Sequence, residues 1–276
     1  VTSRDEFEAV RREADPIRRG QRATDLITTY QHRSAELARL RKAAIEEAHR
    51  ERDMSYTEIA TALGITKGRI SQVRKDAAGP ERVLFGVGPV SVGIPYRYQT
   101  TDRERPLIAA EDSTTGQELE KLLTAMRFAV DRYHVGPETA DLPEGDGVIV
   151  CGPKSAPVAG SLMDEDPKSR LIKDGGRWWF EHQETGERTG SPSDDEGAPA
   201  DADLAYVARH NFDGRVLVHI AGIHAIGSLG AAHYLTTNLG ELYDKVGEAS
   251  FSLAVRASYD GLTITHSELA AGPYVW

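Results

Sequence analysis

The stretch RVLVHIAGIHAIGSLGAAHYLTTNLGELYDKV, residues 215–246, changes its pattern half-way along. Its opening, VLVHIA, is a short apolar run of the kind that forms a strand; from AAHYL onward the spacing is that of a helix. Gly222, Gly227 and Gly230 lie at the join, in the order G-x-x-x-x-G-x-x-G. A strand that passes through glycines into a helix brings backbone amides and a helix N-terminus to one point, where an anion is stabilised. The spacing is neither G-x-G-x-x-G nor a Walker A loop, so it does not select NAD or ATP by pattern.

Two further units read the same way. PLIAAED, residues 106–112, is an apolar run ending in acids, followed by the helical TTGQELEKLLTAMRFAVDRY; GVIVCGPKSAP, residues 147–157, leads to a short helix from Val158 to Met163. SFSLAVRASYDGLTITHSEL has the strand, Asp-Gly, strand form of a hairpin. Three strand-turn-helix units predict a Rossmann-like α/β domain with a mostly parallel sheet over residues 81–276. Open sheets of this kind take ligands at the carboxyl ends of their strands. Gly152 and Pro153 supply a turn there, Lys154 a cation and Ser155 a hydroxyl; Glu111 and Asp112 end another strand. Together with Gly222, His224, Gly227 and Ser228 they predict one pocket for a small ligand bearing phosphate or carboxylate.

His224 sits in the glycine loop and suits ligand contact or acid–base work, whereas His219 lies within the apolar run and reads as a core residue. The single cysteine, Cys151, ends a strand and reads as buried. With neither G-x-S-x-G nor H-E-x-x-H present, no catalytic or metal-ligating residue is assigned. Trp178, Trp179 and Phe180 predict a strand or lid, with Arg177 facing the pocket, and residues 186–203 read as a polar surface loop.

Residues 1–80 are of another kind. In SYTEIATALGITKGRISQVRKD, residues 55–76, Ser55 and Glu58 form a capping box that starts a helix at Tyr56. Ile59 and Leu63 share one face of it, Gly64 ends it, Ile65 plugs the turn and Thr66 caps a second helix, whose inner face is Ile70 and Val73. Thr66, Lys67, Gly68, Ser71, Gln72, Arg74 and Lys75 are left outward, a set of phosphate-seeking cations and base-edge-capable polar groups. Upstream, Gly20 to Asp53 reads as one helix, with Ile45 and Ala48 placed to cover this pair. Leu26, Ile27, Tyr30 and Leu37 need another partner: a helix from residues 4–14, or the same helix of a second chain, which is the preferred reading.

The words EIATALGITKGRISQ resemble the helix-turn-helix of sigma-factor region 4 and of many bacterial repressors. That resemblance covers less than a tenth of the chain and implies binding to double-stranded DNA, with the helix from Lys67 in the major groove. As a whole, the chain resembles a group of actinobacterial proteins that join a sigma-like helix-turn-helix to a partner domain with phrases such as FGVGPVSVG, CGPKSAPV and HIAGIHAIGSLG. The glycine loop is also distantly similar to those of nucleotide-binding Rossmann domains.

Charge divides with the chain. Residues 1–82 hold 17 Lys and Arg against 14 Asp and Glu, a balance of +3, which leaves −13 to the rest of a chain whose total is −10. A positive first part suits DNA, and an acidic partner discourages indiscriminate binding. At 39% hydrophobic residues the chain can build cores; it has one cysteine and no apolar run of membrane-spanning length, so a cytoplasmic, DNA-associated protein with no membrane partner is expected. The combined expectation is a homodimeric, ligand-responsive transcription regulator of α plus α/β class, sensing a nucleotide or other phosphate-bearing molecule. The alternatives are a nucleotide-processing hydrolase with a DNA-binding domain and a DNA-bound scaffold that binds another protein.

Overall fold

A computed structural model describes residues 3–100, 103–197, 201–212 and 214–276. They form two compact units: residues up to Pro80 with Val87–Pro89, and Glu81–Gly86 with Val90–Trp276.

The first unit is helical: α1 (Ser3–Arg12), α2 (Pro16–Glu51), α3 (Tyr56–Ala62) and α4 (Lys67–Asp76). Helix α2 begins earlier than its glycine suggests, because Asp15 accepts the N–H groups of Ile17 and Arg18 and Pro16 occupies the position where a missing N–H costs nothing. Ile45, Ile59, Ala60, Ile70 and Val73 are its buried core, with Ala48 and Ile65 packed against them. Leu63 is not part of that core: it is 49% exposed. It caps α3, after which Gly64 turns at φ 65°. The N–H of Ile65 then reaches Ala60 O at 2.9 Å and that of Gly64 reaches Thr61 O at 3.2 Å, so Ile65 folds back to the place expected for Leu63. Tyr30 meets α1 of its own chain, its ring 5.6 Å from Phe7 and its hydroxyl donating to Glu6.

The second unit opens with a 3₁₀ turn (Pro80–Phe85), then β1 (Val90–Pro95), β2 (Arg97–Thr100), β3 (Glu104–Leu107), α5 (Ala110–Ala125), β4 (Val130–Val135), β5 (Asp146–Val150) and α6 (Pro157–Asp164). It continues through β6 (Ser169–Asp174), β7 (Arg177–His182), β8 (Arg188–Gly190), a 3₁₀ turn (Pro192–Asp194), β9 (Ala202–Phe212), β10 (Arg215–Gly222), α7 (Ala225–Val246), β11 (Phe251–Asp260) and β12 (Thr263–Val275). Seven strands make a mostly parallel central sheet in the order β12-β11-β9-β10-β5-β1-β4. The pairings β10–β5, β5–β1 and β1–β4 are parallel; β9, β11 and β12 are added antiparallel, the last two as the expected hairpin.

Alternation along the strands assigns the two faces. Val148, Val150, Ala205, Val207, Val218 and Ile220 enter one core with α5 and α7. Ile149, Cys151 and Leu217 meet α6, while Leu204, Tyr206, Ala208 and Ala221 meet the small sheet β6-β7-β8. Trp178, Trp179 and Phe180 are therefore strand residues, with Phe180 at 1% exposure.

Several expectations are corrected. PLIAAED is not a strand of the central sheet; its first two residues end β3, which among the described residues pairs with β2 alone, and Glu111 and Asp112 lie in the first turn of α5. The predicted long helix stops at Ala125, and Val130–Val135 is the edge strand β4. The 186–203 segment carries β8 and a 3₁₀ turn, and its last residues open β9; of it, residues 198–200 lie outside the described set.

The glycines of α7 set its distance from the sheet. A Cβ on Gly230 would stand 2.3 Å from Ala257 Cβ of β11, whereas one on Gly240 would meet nothing within 4 Å. Gly230→Ala is expected to lose about 1–3 kcal/mol of stability through overpacking. Gly240→Ala in the same helix should gain roughly 0.5–1 kcal/mol by backbone entropy. Urea unfolding of the two variants beside the parent checks both signs.

Candidate functional site

Two surfaces carry groups that the fold does not itself consume. One is the outer face of α4. Thr66 caps the helix through the Arg69 N–H at 3.1 Å, and Ile70 and Val73 are buried, which leaves Lys67, Gly68, Arg69, Ser71, Gln72, Arg74 and Lys75 exposed. Arg69 donates to Gln72 at 2.7 Å, and Arg74 lies over the Tyr56 ring at 4.4 Å and within 3.9 Å of Glu46, so Arg74 is partly engaged inside the unit. No carboxylate occurs in α4 before Asp76.

The other surface is the carboxyl edge of the parallel strands. The sequence predicts one pocket here; among the described residues the predicted ligand residues divide between separate cavities. The larger, about 520 Å³, is lined from the ends of β1, β4 and β5 and from the β2–β3 hairpin by Pro95, Tyr96, Arg97, Tyr98, Leu107 and Ala109, and by Asp112, Pro137, Glu138, Lys154 and Ser155. The smaller, about 380 Å³, holds Glu111, Ser193, His224, Ala225, Ile226, Tyr259 and Gly261. Glu111 and Asp112 are neighbours on a helix, where successive side chains diverge by about 100°, and so they enter different cavities.

Strand order explains the position of the larger cavity. From β1 the chain moves outward to β4, then returns past β1 to β5 and β10, so the direction of winding reverses between β1 and β5. Loops leaving adjacent strands on either side of such a reversal part, and a crevice opens between them. Tyr96 and Tyr98 stand edge to face with centroids 5.4 Å apart. Lys154 donates to Ile223 O at 2.6 Å, which ties the cavity wall to the segment between β10 and α7. Burial, with the neighbouring charge of Glu111, raises the pKa of Asp112 to about 6 against the pull of Arg97 and Lys154.

The glycine loop after β10 is filled by the protein itself. Asp203, 1% exposed, accepts the His224 N–H at 3.0 Å through Oδ2 and the His224 Nδ1–H at 3.0 Å through Oδ1. A Cβ on Gly227 would stand 2.6 Å from Asp203 Oδ2, and the Gly222 N–H donates to buried Ser228 Oγ. These three residues serve the β9–α7 junction and line neither cavity. Gly152 closes a turn by accepting the Ser155 N–H, and Pro153 faces a third cavity beside α6.

His224 Nε2 lies 3.3 Å from Asp194, and the Asp203 hydrogen bond, then the charges of Asp203 and Asp194, hold its pKa above the ordinary value against burial. Arg177 also reaches Asp194, at 3.8 Å, and lies 2.7 Å from Asp195 while donating to Ser191 O. His219 is fully buried and donates from Nε2 to Cys151 O at 2.8 Å; burial lowers its pKa to about 4. Cys151 is 2% exposed, and burial, then the Asp112 charge, pushes its thiol up to about 12, so it stays protonated and unreactive. Tyr96, Arg97, Tyr98 and Glu138 are not found from sequence motifs; the available signal is the alternation YRYQ before a turn and RERPL after it.

No known protein-family model matches the chain, and no curated protein matches it.

Asp112 binds its proton more tightly folded than unfolded, so its ionisation lowers stability as pH rises from about 4 to about 6 and the full cost is present above that. Asp112→Asn should therefore be more stable than the parent at pH 7.5, by roughly 1–3 kcal/mol, and about equal to it at pH 4. Thermal unfolding at the two pH values reads the difference.

Proposed function

We propose that the chain is a ligand-responsive DNA-binding transcription regulator. In this reading α3 and α4 form a helix-turn-helix, α4 is the recognition helix, and the second unit is a Rossmann-like sensor of a small anionic molecule. The observation that carries it is the division of α4 into two faces. Ile70 and Val73 are consumed by the core, while Lys67, Arg69, Ser71, Gln72 and Lys75 project as cations and amide or hydroxyl groups with no intervening acid. Cations of this kind neutralise phosphates, and glutamine and serine pair with base edges. Two-fold operators are the usual counterpart of such elements, and we place the homodimer contact on α2. There Leu37, two turns from Tyr30 on the same side, is 66% exposed and Leu40 is 46% exposed.

The hydrolase reading has one observation in its favour, the Asp203–His224 pair opening on a cavity. Against it, His224 Nε2 faces Asp194, and Ser193 Oγ donates to Ala202 O.

The combined variant Lys67→Ala, Gln72→Ala, Lys75→Ala should lose specific operator binding at fixed salt by 100-fold or more, on the order of 3 kcal/mol, with unchanged thermal stability. An unaltered operator affinity removes α4 from the recognition role. Sedimentation tests assembly separately: Leu37→Asp with Leu40→Asp should shift a dimer to monomer, because carboxylates are costly in an apolar seam.

A further inference from the structure

The cavity at the β1–β5 reversal combines three kinds of group that no single simple ion would use. Its aromatic part is Tyr96 with Tyr98, the latter 49% exposed on the β2–β3 hairpin. Its cations are Arg97 and Lys154, and the ammonium of Lys154 gives one of its three N–H groups to Ile223 O, leaving two. Its acceptor is Asp112, a part-exposed carboxyl in the cavity wall that receives no hydrogen-bond donor among the described residues.

An occupant must therefore offer a flat π-face, an anionic group and a pair of hydrogen-bond donors within about 520 Å³. Inorganic phosphate has no π-face. An aromatic amino acid offers all three but would leave most of that volume empty. Resting on the sensor reading above, we infer that this cavity is the effector site and that its occupant is a nucleotide: the base stacks on Tyr98, the ribose hydroxyls donate to Asp112, and the phosphate meets Arg97 and Lys154. Stacking on a tyrosine tolerates any base, because every base has a π-face, so the site recognises the nucleotide class through its ribose and phosphate.

The test is calorimetric titration of the full chain with ribonucleoside 5′-mono-, di- and triphosphates and 3′,5′-cyclic monophosphates of the four common bases, beside the parent nucleosides, inorganic phosphate and tryptophan. At least one nucleotide should bind with a dissociation constant of about 100 μM or tighter. Its nucleoside should bind at least tenfold more weakly, and its 2′-deoxy form should also lose affinity. Tyr98→Ala, Asp112→Asn and Lys154→Ala should each weaken it at least tenfold. Arg97→Ala serves as the second cation variant in case Lys154→Ala loosens the link to Ile223, and thermal unfolding reports whether each variant is folded. Binding of no nucleotide overturns the inference; so does nucleotide binding that all four variants leave intact, phosphate binding as tight as the nucleotide's, or tryptophan binding in its place. DNA affinity is read in the same preparation. A nucleotide that binds at this cavity without altering DNA affinity keeps the site and overturns the sensor reading. DNA binding that responds to another small molecule, with no nucleotide bound, does the reverse.

Discussion

The second unit is organised around the carboxylate of Asp203. It is buried at the start of β9 and accepts both the backbone N–H and the ring N–H of His224, directly before α7. A carboxylate withdrawn from water is costly unless its oxygens are hydrogen-bonded, and a helix N-terminus is the place where such a charge is best tolerated, for about 0.3–2 kcal/mol. The arrangement needs β9 to run close beneath α7, and so Gly227 can carry no Cβ, with Gly230 under the same restriction against β11. This internal carboxylate thus restricts Gly227 and fixes the orientation of His224, while Gly230 answers to β11. It also takes the place that a ligand's anion would have had.

With that position filled, the free chemistry moves along the strand ends to the β1–β5 reversal. Lys154 spans the gap, since it lines the larger cavity while its ammonium is bound to Ile223 O beside the His224 junction. Some buried polar groups elsewhere are occupied internally. Arg209 reaches the carbonyls of Val83, Leu84, Glu248 and Ala249 and so fastens the opening 3₁₀ turn to β9 and to the end of α7. Tyr206 donates to Asp166 beneath the small sheet. Asp112, part-exposed in the cavity wall, receives no donor among the described residues.

What the sequence conveys and what it hides follow the same local rule. The ends of α3 and α5 are built alike. In each, a residue with positive φ follows the cap and the next N–H returns to the third residue from the helix end: Ile65 to Ala60, and Phe128 to Leu123. At α3 the residue with positive φ is Gly64 and the boundary is legible. At α5 it is Arg127, at φ 65°, a residue type with no preference for that region, and nothing marks the passage from helix to β4. Strand β1 is obscured in the opposite way, because Gly93 and Pro95 in VSVGIP read as breakers; in the fold Gly93 makes room for the Tyr133 ring of β4. The β10–α7 unit, the final hairpin and the buried state of His219 and Cys151 are legible because each depends on near neighbours in sequence. The anchoring of His224 is not, since it depends on Asp203, which lies 21 residues before it.

An unpartnered carboxyl is a stability cost that a ligand can relieve, and that gives the sensor reading its thermodynamics. A molecule shifts a conformational equilibrium only by its difference in affinity for the two states. Where a carboxylate is partly sheltered from water, a state that brings a ligand's donors to it gains hydrogen bonds that offset the hydration it has lost. The gain is available only when the β2–β3 hairpin, which carries Arg97 and Tyr98, and the β5 loop, which carries Lys154, stand at the separation the ligand requires. Because Lys154 is at once bound to Ile223, that separation is coupled to the β10–α7 junction rather than confined to the hairpin. A fully satisfied pocket would be more stable and would have less to report. In the proposed sensor, the stability cost and the capacity to respond would reside in the same side chain.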